Sequence, residues 1–558
     1  MRNLAPLAAR DADPAATGSR GVLGGALLLA IALWSPMVLL RSAWPVDETR
    51  YADVALAMRE SGQWWVPVLH QKWYFEKPPG FFWAIAGLAR LGVPIDRGPQ
   101  FVSLLASLGT LLLLPSIGRS CGLSGTAVRR GAFVLITAPL FAAYAQLGYL
   151  DPLLAFELCA AFACAARRTV LPHERRGSRV GLALLEGVLL AAGLLTKGPV
   201  VLLFAIGWRI GASVARRDPD APAAPRPASF AWLDLLVLAS AVGLALAWTA
   251  KAQSIAGASY VHDLTFGQLE RRVAGTERKH HRFPGYALLI ALAGMLPWSL
   301  LAIGALPRPA RAWWRPPPRQ AALLGFGLLP TVLIALLPTQ QPHYILPALP
   351  ALALLAGEAL AAPPRRAASR SIGALAGLLA LALLAAAIAL PFGVPLGDAV
   401  DAEALEAIER DPLLLGGIVV GAAALVALLV QAARDAGAPP LRRTLLGSIV
   451  VLSLMPLVAW RADPIFGARE LLDAPPIRAA KRIVAPTGLR CALRLVTGLP
   501  LIEEYDGRKP LRLLGEDPAL IAILWEDELA RFGLVGSGRV VARGHLQGRA
   551  LVALRGGP

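Results

Sequence analysis

Apolar residues run through this chain in blocks of about 20, the length at which a helix crosses the hydrocarbon core of a bilayer. Such blocks fall at about 21–40, 101–117, 131–149, 152–166, 180–196, 198–214, 230–250, 284–304, 320–338, 345–361, 371–391, 413–431 and 444–460. They predict a mainly α-helical, polytopic membrane protein of about 13 transmembrane helices. Residues 1–20 are polar with a few Arg. The first apolar run, Gly21–Leu40, ends without a small-residue cleavage site, which predicts a retained signal-anchor helix behind a cytoplasmic N-terminal segment. After Trp460 the apolar blocks stop. Gly and Pro turns then alternate with short β-like runs, Cys491–Val496, Leu520–Leu524 and Gly538–Ala542. The expected organisation is a transmembrane domain over 21–460 followed by a small α/β domain over 461–558.

Charge sharpens this picture. The chain has 558 residues, 56% of them hydrophobic and 16% charged, which argues against a soluble enzyme. A net charge of +18 is of the kind nucleic-acid binding uses, but most Arg residues sit in short loops between apolar blocks. That is where topology-setting cations belong, so the bilayer is the expected partner and no nucleic acid is. With the N-terminus cytoplasmic, the cytoplasmic connections are Arg119–Arg130, Arg167–Arg179, Arg216–Arg226, Arg308–Arg319, Arg365–Arg370 and Arg434–Arg443, each rich in Arg. The same parity places the C-terminal domain outside the membrane. Cys121, Cys159, Cys164 and Cys491 have no zinc-type spacing and imply no disulfide framework.

Two outer loops break the positive-inside rule. Residues 41–100 carry Arg50, Arg59, Lys72, Lys77, Arg90 and Arg97. Residues 251–283 carry Lys251, Arg271, Arg272, Arg278, Lys279 and Arg282, with His262, His280 and His281. Cations kept where topology disfavours them need another reason, and an anionic ligand on the outer face is the simplest.

Within the first loop, Asp47-Glu48 opens a helix-like run, Thr49–Glu60, that ends before Gly62. Tyr51, Val54, Ala55 and Met58 share one face, as in a helix lying along the membrane interface. Asp47 reads either as an N-cap, with Glu48 favoured by the positive helix end, or as a base held at the mouth of the membrane core. Glu76-Lys77-Pro78-Pro79 lies among aromatics. It is either an interfacial belt with a snorkelling lysine or a backbone held extended so that Lys77 meets a phosphate. Asp151, in Gly148-Tyr149-Leu150-Asp151-Pro152, is either the cap of the next span or a functional carboxylate, costing about 2.5–3.5 kcal/mol at full depth. Arg271 or Arg272 is either part of a lipid-facing basic segment or a bidentate phosphate clamp. Tyr344 is an interfacial anchor or a hydrogen-bond donor to the same phosphate.

Taken together, these stretches resemble the polytopic glycosyltransferases of the GT-C superfamily. The closest resemblance is to bacterial aminoarabinose (undecaprenyl-phosphate) transferases and their protein O-mannosyltransferase relatives. The matching segments are Asp47-Glu48-Thr49-Arg50-Tyr51-Ala52, Tyr74-Phe75-Glu76-Lys77-Pro78-Pro79, Leu150-Asp151-Pro152, Leu195-Thr196-Lys197-Gly198-Pro199 and Pro342-His343-Tyr344-Ile345-Leu346-Pro347, in the family's order over about the first 360 residues. The resemblance implies transfer of a sugar from a polyprenyl-phosphate donor to a lipid or protein acceptor at the outer face of the bacterial inner membrane, with inversion. It implies Asp47 as the acceptor-activating base and Asp151 as the second acidic position. Lys77, Arg271 or Arg272, and Tyr344 match positions that hold the donor phosphate. Arg50, Tyr51, Lys197 and His343 belong to the same motifs, and Glu48 is a further catalytic candidate. Some members hold a divalent metal ion, for which Glu76 with His280 or His281 are the candidate ligands. A transporter or flippase of lipid-linked sugars is the alternative. It would carry charges deep in several spans and a repeat between halves, whereas the charges here read as clustered at outer span ends and no repeat is visible.

Overall fold

The computed structural model describes residues 15–170, 175–215, 229–267, 282–305, 318–360, 441–504 and most of 514–556, with scattered positions between 416 and 430. Arg271, Arg272, His280 and His281 lie outside the described residues, as do the predicted span 371–391 and most of 413–431.

The described chain is dominated by helices. α1 (Ala15–Leu40) leads into α2 (Asp47–Ser61), a two-stranded hairpin of β1 (Val68–Leu69) and β2 (Lys72–Trp73), and α3 (Gly80–Arg90). There follow α4 (Gly98–Ser120), α5 (Gly125–Thr137), α6 (Pro139–Tyr144), α7 (Asp151–Val170), α8 (Arg176–Lys197), α9 (Val200–Ala215) and α10 (Ser229–His262). Beyond them lie helices Tyr286–Gly294, Trp298–Ala305, Pro318–Ala335, Leu349–Ala359 and Leu441–Phe466. Four described helices are long and apolar enough to cross a membrane: Gly98–Ser120, Arg176–Lys197, Trp232–Thr265 and Arg443–Trp460. Proline shortens two of the predicted spans. The predicted span 131–149 is two helices, since Ala138 before Pro139 is extended (φ −69°, ψ 117°) and ends α5. A turn over residues 295–297, with Pro297, separates Tyr286–Gly294 from Trp298–Ala305.

Where two helices meet without large side chains they meet backbone to backbone. A Cβ on Gly207 of α9 would lie 2.3 Å from the carbonyl oxygen of Gly325, and one on Gly211 would lie 2.0 Å from that of Ala321. This small-xxx-small spacing lets α9 and Pro318–Ala335 pack closely, the contact that substitutes for a hydrophobic drive inside lipid. Buried charges pin the bundle further. Glu186 of α8 accepts from Arg168 of α7 (3.2 Å) and Arg209 of α9 (2.6 Å), and Arg168 reaches Asp234 of α10 at 2.7 Å.

The C-terminal unit is a five-stranded sheet ordered β4-β3-β5-β7-β6 (Glu503–Glu504, Ile483–Ala485, Ile521–Trp525, Arg549–Arg555, Arg539–Leu546). β3 runs parallel to β4 and β5, whereas β7 is antiparallel to β5 and β6. The helix Thr487–Thr497 joins β3 to β4. The strand expected at Cys491–Val496 is therefore helical. Leu489, Ala492, Leu493 and Val496 recur at helical spacing and face the sheet, and Gly498 (φ +69°) supplies the left-handed stop.

The expectation for α2 also needs correcting. Tyr51, Val54, Ala55 and Met58 do share a face, but they bury it against Phe81, Phe82 and Ile85 of α3 rather than presenting it to lipid. Asp53 on α2 is bound by Arg494 of the C-terminal unit. The helix is held between two protein layers.

Candidate active site

The N-terminus of α2 is fixed by one buried carboxylate. Glu48 accepts hydrogen bonds from Arg41 Nη1 (2.6 Å) and Nη2, from the backbone N–H of Trp44 (2.8 Å) and Gly148 (2.6 Å), and from Gln100 Nε2 (3.1 Å). Burial alone would raise its pKa. The Arg41 guanidinium and the two backbone donors outweigh that and hold it below the ordinary glutamate value. Gly148 has to be glycine here, because a Cβ would sit 2.7 Å from Pro99 Cβ and 3.1 Å from Glu48 Cγ. On the other side of the same segment, Asp463 accepts from Ser42 N (3.2 Å), Ser42 Oγ (2.8 Å) and Trp44 Nε1 (2.8 Å).

This clamp leaves Asp47 in the first turn of α2, with its side chain 36% exposed. Its carboxylate pairs with Arg50, one turn along, and accepts from the hydroxyl of Tyr149 at 3.3 Å. Arg50 also reaches Glu76 at 3.4 Å, and Glu76 accepts from Tyr74 Oη at 3.1 Å. The β1–β2 hairpin returns the chain over α2 so that this happens. Its two turn residues, His70 and Gln71, are both left-handed (φ 49° and 64°), the backbone of a two-residue type I′ turn. Pro78 and Pro79 then lead into α3, leaving Lys77 half-buried between hairpin and helix with its Nζ donating to the Glu76 carbonyl at 3.1 Å. Tyr51 is buried, its ring edge-on to Phe81 at 5.4 Å.

The second carboxylate lies across from the first. Asp151 starts α7, is 1% exposed, and forms an ion pair with Lys197 at the end of α8. His343 Nε2 lies 3.8 Å from Asp151 Oδ2, and His343 Nδ1 meets the Tyr144 hydroxyl at 3.5 Å. The Lys197 ammonium also sits 4.6 Å from the centre of the Tyr344 ring, a cation–π contact. Tyr149 packs on His343 (5.2 Å) and edge-on to Tyr144 (5.2 Å). The carboxylates of Asp47 and Asp151 are thus linked through Tyr149 and His343.

The structure therefore brings Asp47, Glu48, Arg50, Tyr51, Glu76, Lys77, Asp151, Lys197, His343 and Tyr344 to one end of the helix bundle. At the opposite end Arg130 of α5 bonds the Leu360 carbonyl. Glu48 stands apart from the rest, engaged by Arg41, Gln100 and two backbone N–H groups. As for a metal, Glu76 is occupied by Tyr74 and Arg50 and belongs to no group of three candidate ligands among the described residues. Those residues do not assemble a metal centre at Glu76. Sequence reading missed Arg41, Gln100, Tyr144, Tyr149 and Asp463. Only Tyr149 carried a local signal, two positions before Asp151.

Comparison with known proteins identifies the family. The dolichyl-phosphate-mannose-protein mannosyltransferase family matches residues 22–214. An undecaprenyl phosphate-alpha-4-amino-4-deoxy-L-arabinose arabinosyl transferase of Pseudomonas paraeruginosa is 30% identical over 455 residues, 77% of either chain. Its namesake from Pseudomonas aeruginosa is 30% identical over 456 residues, again 77% of each. The fold is similar to the crystal structure of ArnT from Cupriavidus metallidurans bound to undecaprenyl phosphate, with a TM-score of 0.72, 19% identity, and coverage of 96% of this chain and 98% of that one. With that identity sustained over three-quarters of its length, the chain belongs to the undecaprenyl phosphate-aminoarabinose arabinosyl transferases, glycosyltransferases of the GT-C superfamily.

Proposed function

We propose that this protein transfers 4-amino-4-deoxy-L-arabinose, or a closely similar sugar, from undecaprenyl phosphate to an envelope acceptor of the lipid A class at the outer face of the inner membrane. The observation that carries the reading is the convergence of Asp47, Arg50, Lys77, Asp151, Lys197 and Tyr344 at one end of the bundle, in a chain of this family. The thirteen-span count, the cytoplasmic N-terminus and the outward C-terminal unit belong to the same proposal, supported by the Arg-rich loops between apolar runs in the sequence.

Inversion by direct displacement needs an activated acceptor oxygen, an anomeric carbon and a phosphate that leaves with its charge neutralised. Asp47 is placed to take the proton of an acceptor hydroxyl as its oxygen attacks, while the bond from the anomeric carbon to the phosphate oxygen breaks and undecaprenyl phosphate departs. Lys77, with Tyr344 and Arg271 or Arg272, holds that phosphate, and preorganised cations of this kind supply several kcal/mol at the transition state. Tyr149 and Arg50 orient Asp47. Asp151 is paired with Lys197 and in turn orients His343. Glu48 acts through Asp47, by fixing the helix turn that presents it.

The test is transfer from a radiolabelled polyprenyl-phosphate sugar by wild type, Asp47→Asn and Lys77→Ala. Loss of transfer is expected in both variants with the fold retained. Equal transfer by all three would overturn the assignment, and movement of intact lipid without transfer would point to a flippase.

A further inference from the structure

A second group of side chains lies away from the Asp47 site, where α2, the β1–β2 turn and the C-terminal unit meet. Asp53 comes from α2, His70 from the hairpin turn, and Cys491 from helix Thr487–Thr497. Their ligand atoms all lie within 4.8 Å of one another. We propose that Asp53, His70 and Cys491 form a binding site for a zinc-class divalent cation that fastens the first outer loop to the C-terminal unit.

Three observations carry this. First, one distance is already that of a metal site. Two ligands at about 2.3 Å (sulfur) and 2.05 Å (nitrogen) from a tetrahedral zinc are about 3.6 Å apart. Cys491 Sγ and His70 Nε2 are 3.5 Å apart. Second, Asp53 is 1% exposed. Arg494 takes Oδ1, and the Cys491 thiol faces the same carboxylate, so a cation between sulfur and oxygen would replace the proton the two share. Third, the donor set of thiolate, imidazole and carboxylate is one that zinc prefers and that calcium or magnesium does not. The surrounding charges accommodate a dication. Arg494 is shared with Glu60, and Arg490 is bound by Glu504.

Burial and the nearby charge of Asp53 push the Cys491 thiol up, which opposes ligation until a metal displaces its proton, whereas burial together with Arg490 lowers the His70 pKa to about 4. The imidazole is therefore neutral and ready to ligate at pH 7. The thiol loses its proton to solvent as the metal–sulfur bond forms, a net exchange of one proton for the cation. The sequence concealed the site because its ligands are separated by 17 and 421 positions (53 to 70 and 70 to 491), with none of the short spacings that mark zinc motifs.

The experiment is cobalt loading of the chelator-treated full-length protein in detergent, followed by zinc competition. One cobalt per chain is expected to give a near-ultraviolet thiolate-to-metal charge-transfer band that zinc abolishes. Cys491→Ser should lose the band and His70→Ala should lower metal retention at least tenfold. Absence of the band in wild type, or its persistence in Cys491→Ser, overturns the proposal. Zinc-edge X-ray absorption of the wild type keeps the test decisive if a variant does not fold. One sulfur at about 2.3 Å in the metal shell supports the site, and a shell of nitrogen and oxygen alone overturns it.

Discussion

Replacing Glu48 by Gln exchanges a buried anion for a neutral amide and leaves Arg41, which is 0% exposed, without its counter-charge. Breaking a buried, well-bonded pair from one side costs about 3–5 kcal/mol, most of it the penalty for the charge left behind. The amide also brings an NH₂ group to a place where Arg41, Trp44 N, Gln100 Nε2 and Gly148 N all donate, so at least one donor loses its acceptor. Because the bonds join the 41–48 segment to the loop before α7, the effect is local opening of the first loop. At 1.4 kcal/mol per tenfold, its amides should exchange roughly 10²- to 10³-fold faster or more. Hydrogen exchange over residues 41–60 and at Gly148 reads this directly. Arg41→Met should behave alike, since it strands Glu48 instead. The double variant strands neither charge, so its loss should fall short of the sum by about 2–3 kcal/mol. Exchange within threefold of wild type in Glu48→Gln, or strict additivity in the double variant, would refute the reasoning.

The same geometry yields further expectations. Gly148→Ala should destabilise by about 1–3 kcal/mol and reduce transfer, because its Cβ meets Pro99 Cβ at 2.7 Å, where neither backbone can yield cheaply. Thermal unfolding and the transfer assay check both parts. Tyr149→Phe removes only the hydroxyl that bonds Asp47. A hydrogen bond to a charged acceptor is worth about 1.5–3 kcal/mol, so kcat should fall roughly 10- to 100-fold with unfolding temperature nearly unchanged. Stability should depend on pH in one direction. The folded pKa of Glu48 is lowered, so its contribution is complete above the ordinary glutamate value of about 4.3 and is lost as pH falls through the lower folded value. Melting curves of wild type and Glu48→Gln should therefore differ constantly near neutrality and converge only in acid.

Much of the site was legible in the sequence because its residues sit at the ends of apolar runs. A charge at such a place is conspicuous, and Asp47, Lys77 and Asp151 stand out that way, whereas Arg50, Lys197 and His343 enter through the family motifs. What connects them was not legible. Tyr144 and Tyr149 lie in a stretch that reads as membrane helix, and an aromatic residue there carries no mark of its role until Pro139 breaks the helix and turns it inward. Arg41 and Gln100 matter through contacts made across 7 and 52 positions to a single carboxylate. The apolar face of α2 was read correctly as a face and wrongly as lipid-bound. Periodicity tells that a stripe is buried but not what buries it, and here α3 does. The run at Cys491–Val496 shows the related ambiguity of short apolar segments, which only their neighbours resolve.

The bonds from Asp463 to Ser42 and Trp44 join residues 421 and 419 positions apart. In a chain made from its N-terminus onward, the segment ahead of α2 emerges early and has no such partner until the helix Leu441–Phe466 has been synthesised and inserted. The arrangement around Asp47 is completed at the close of biogenesis. A growing chain still on the ribosome carries the candidate residues around Asp47 without the brace that aligns them, so their arrangement is completed together with assembly of the bundle.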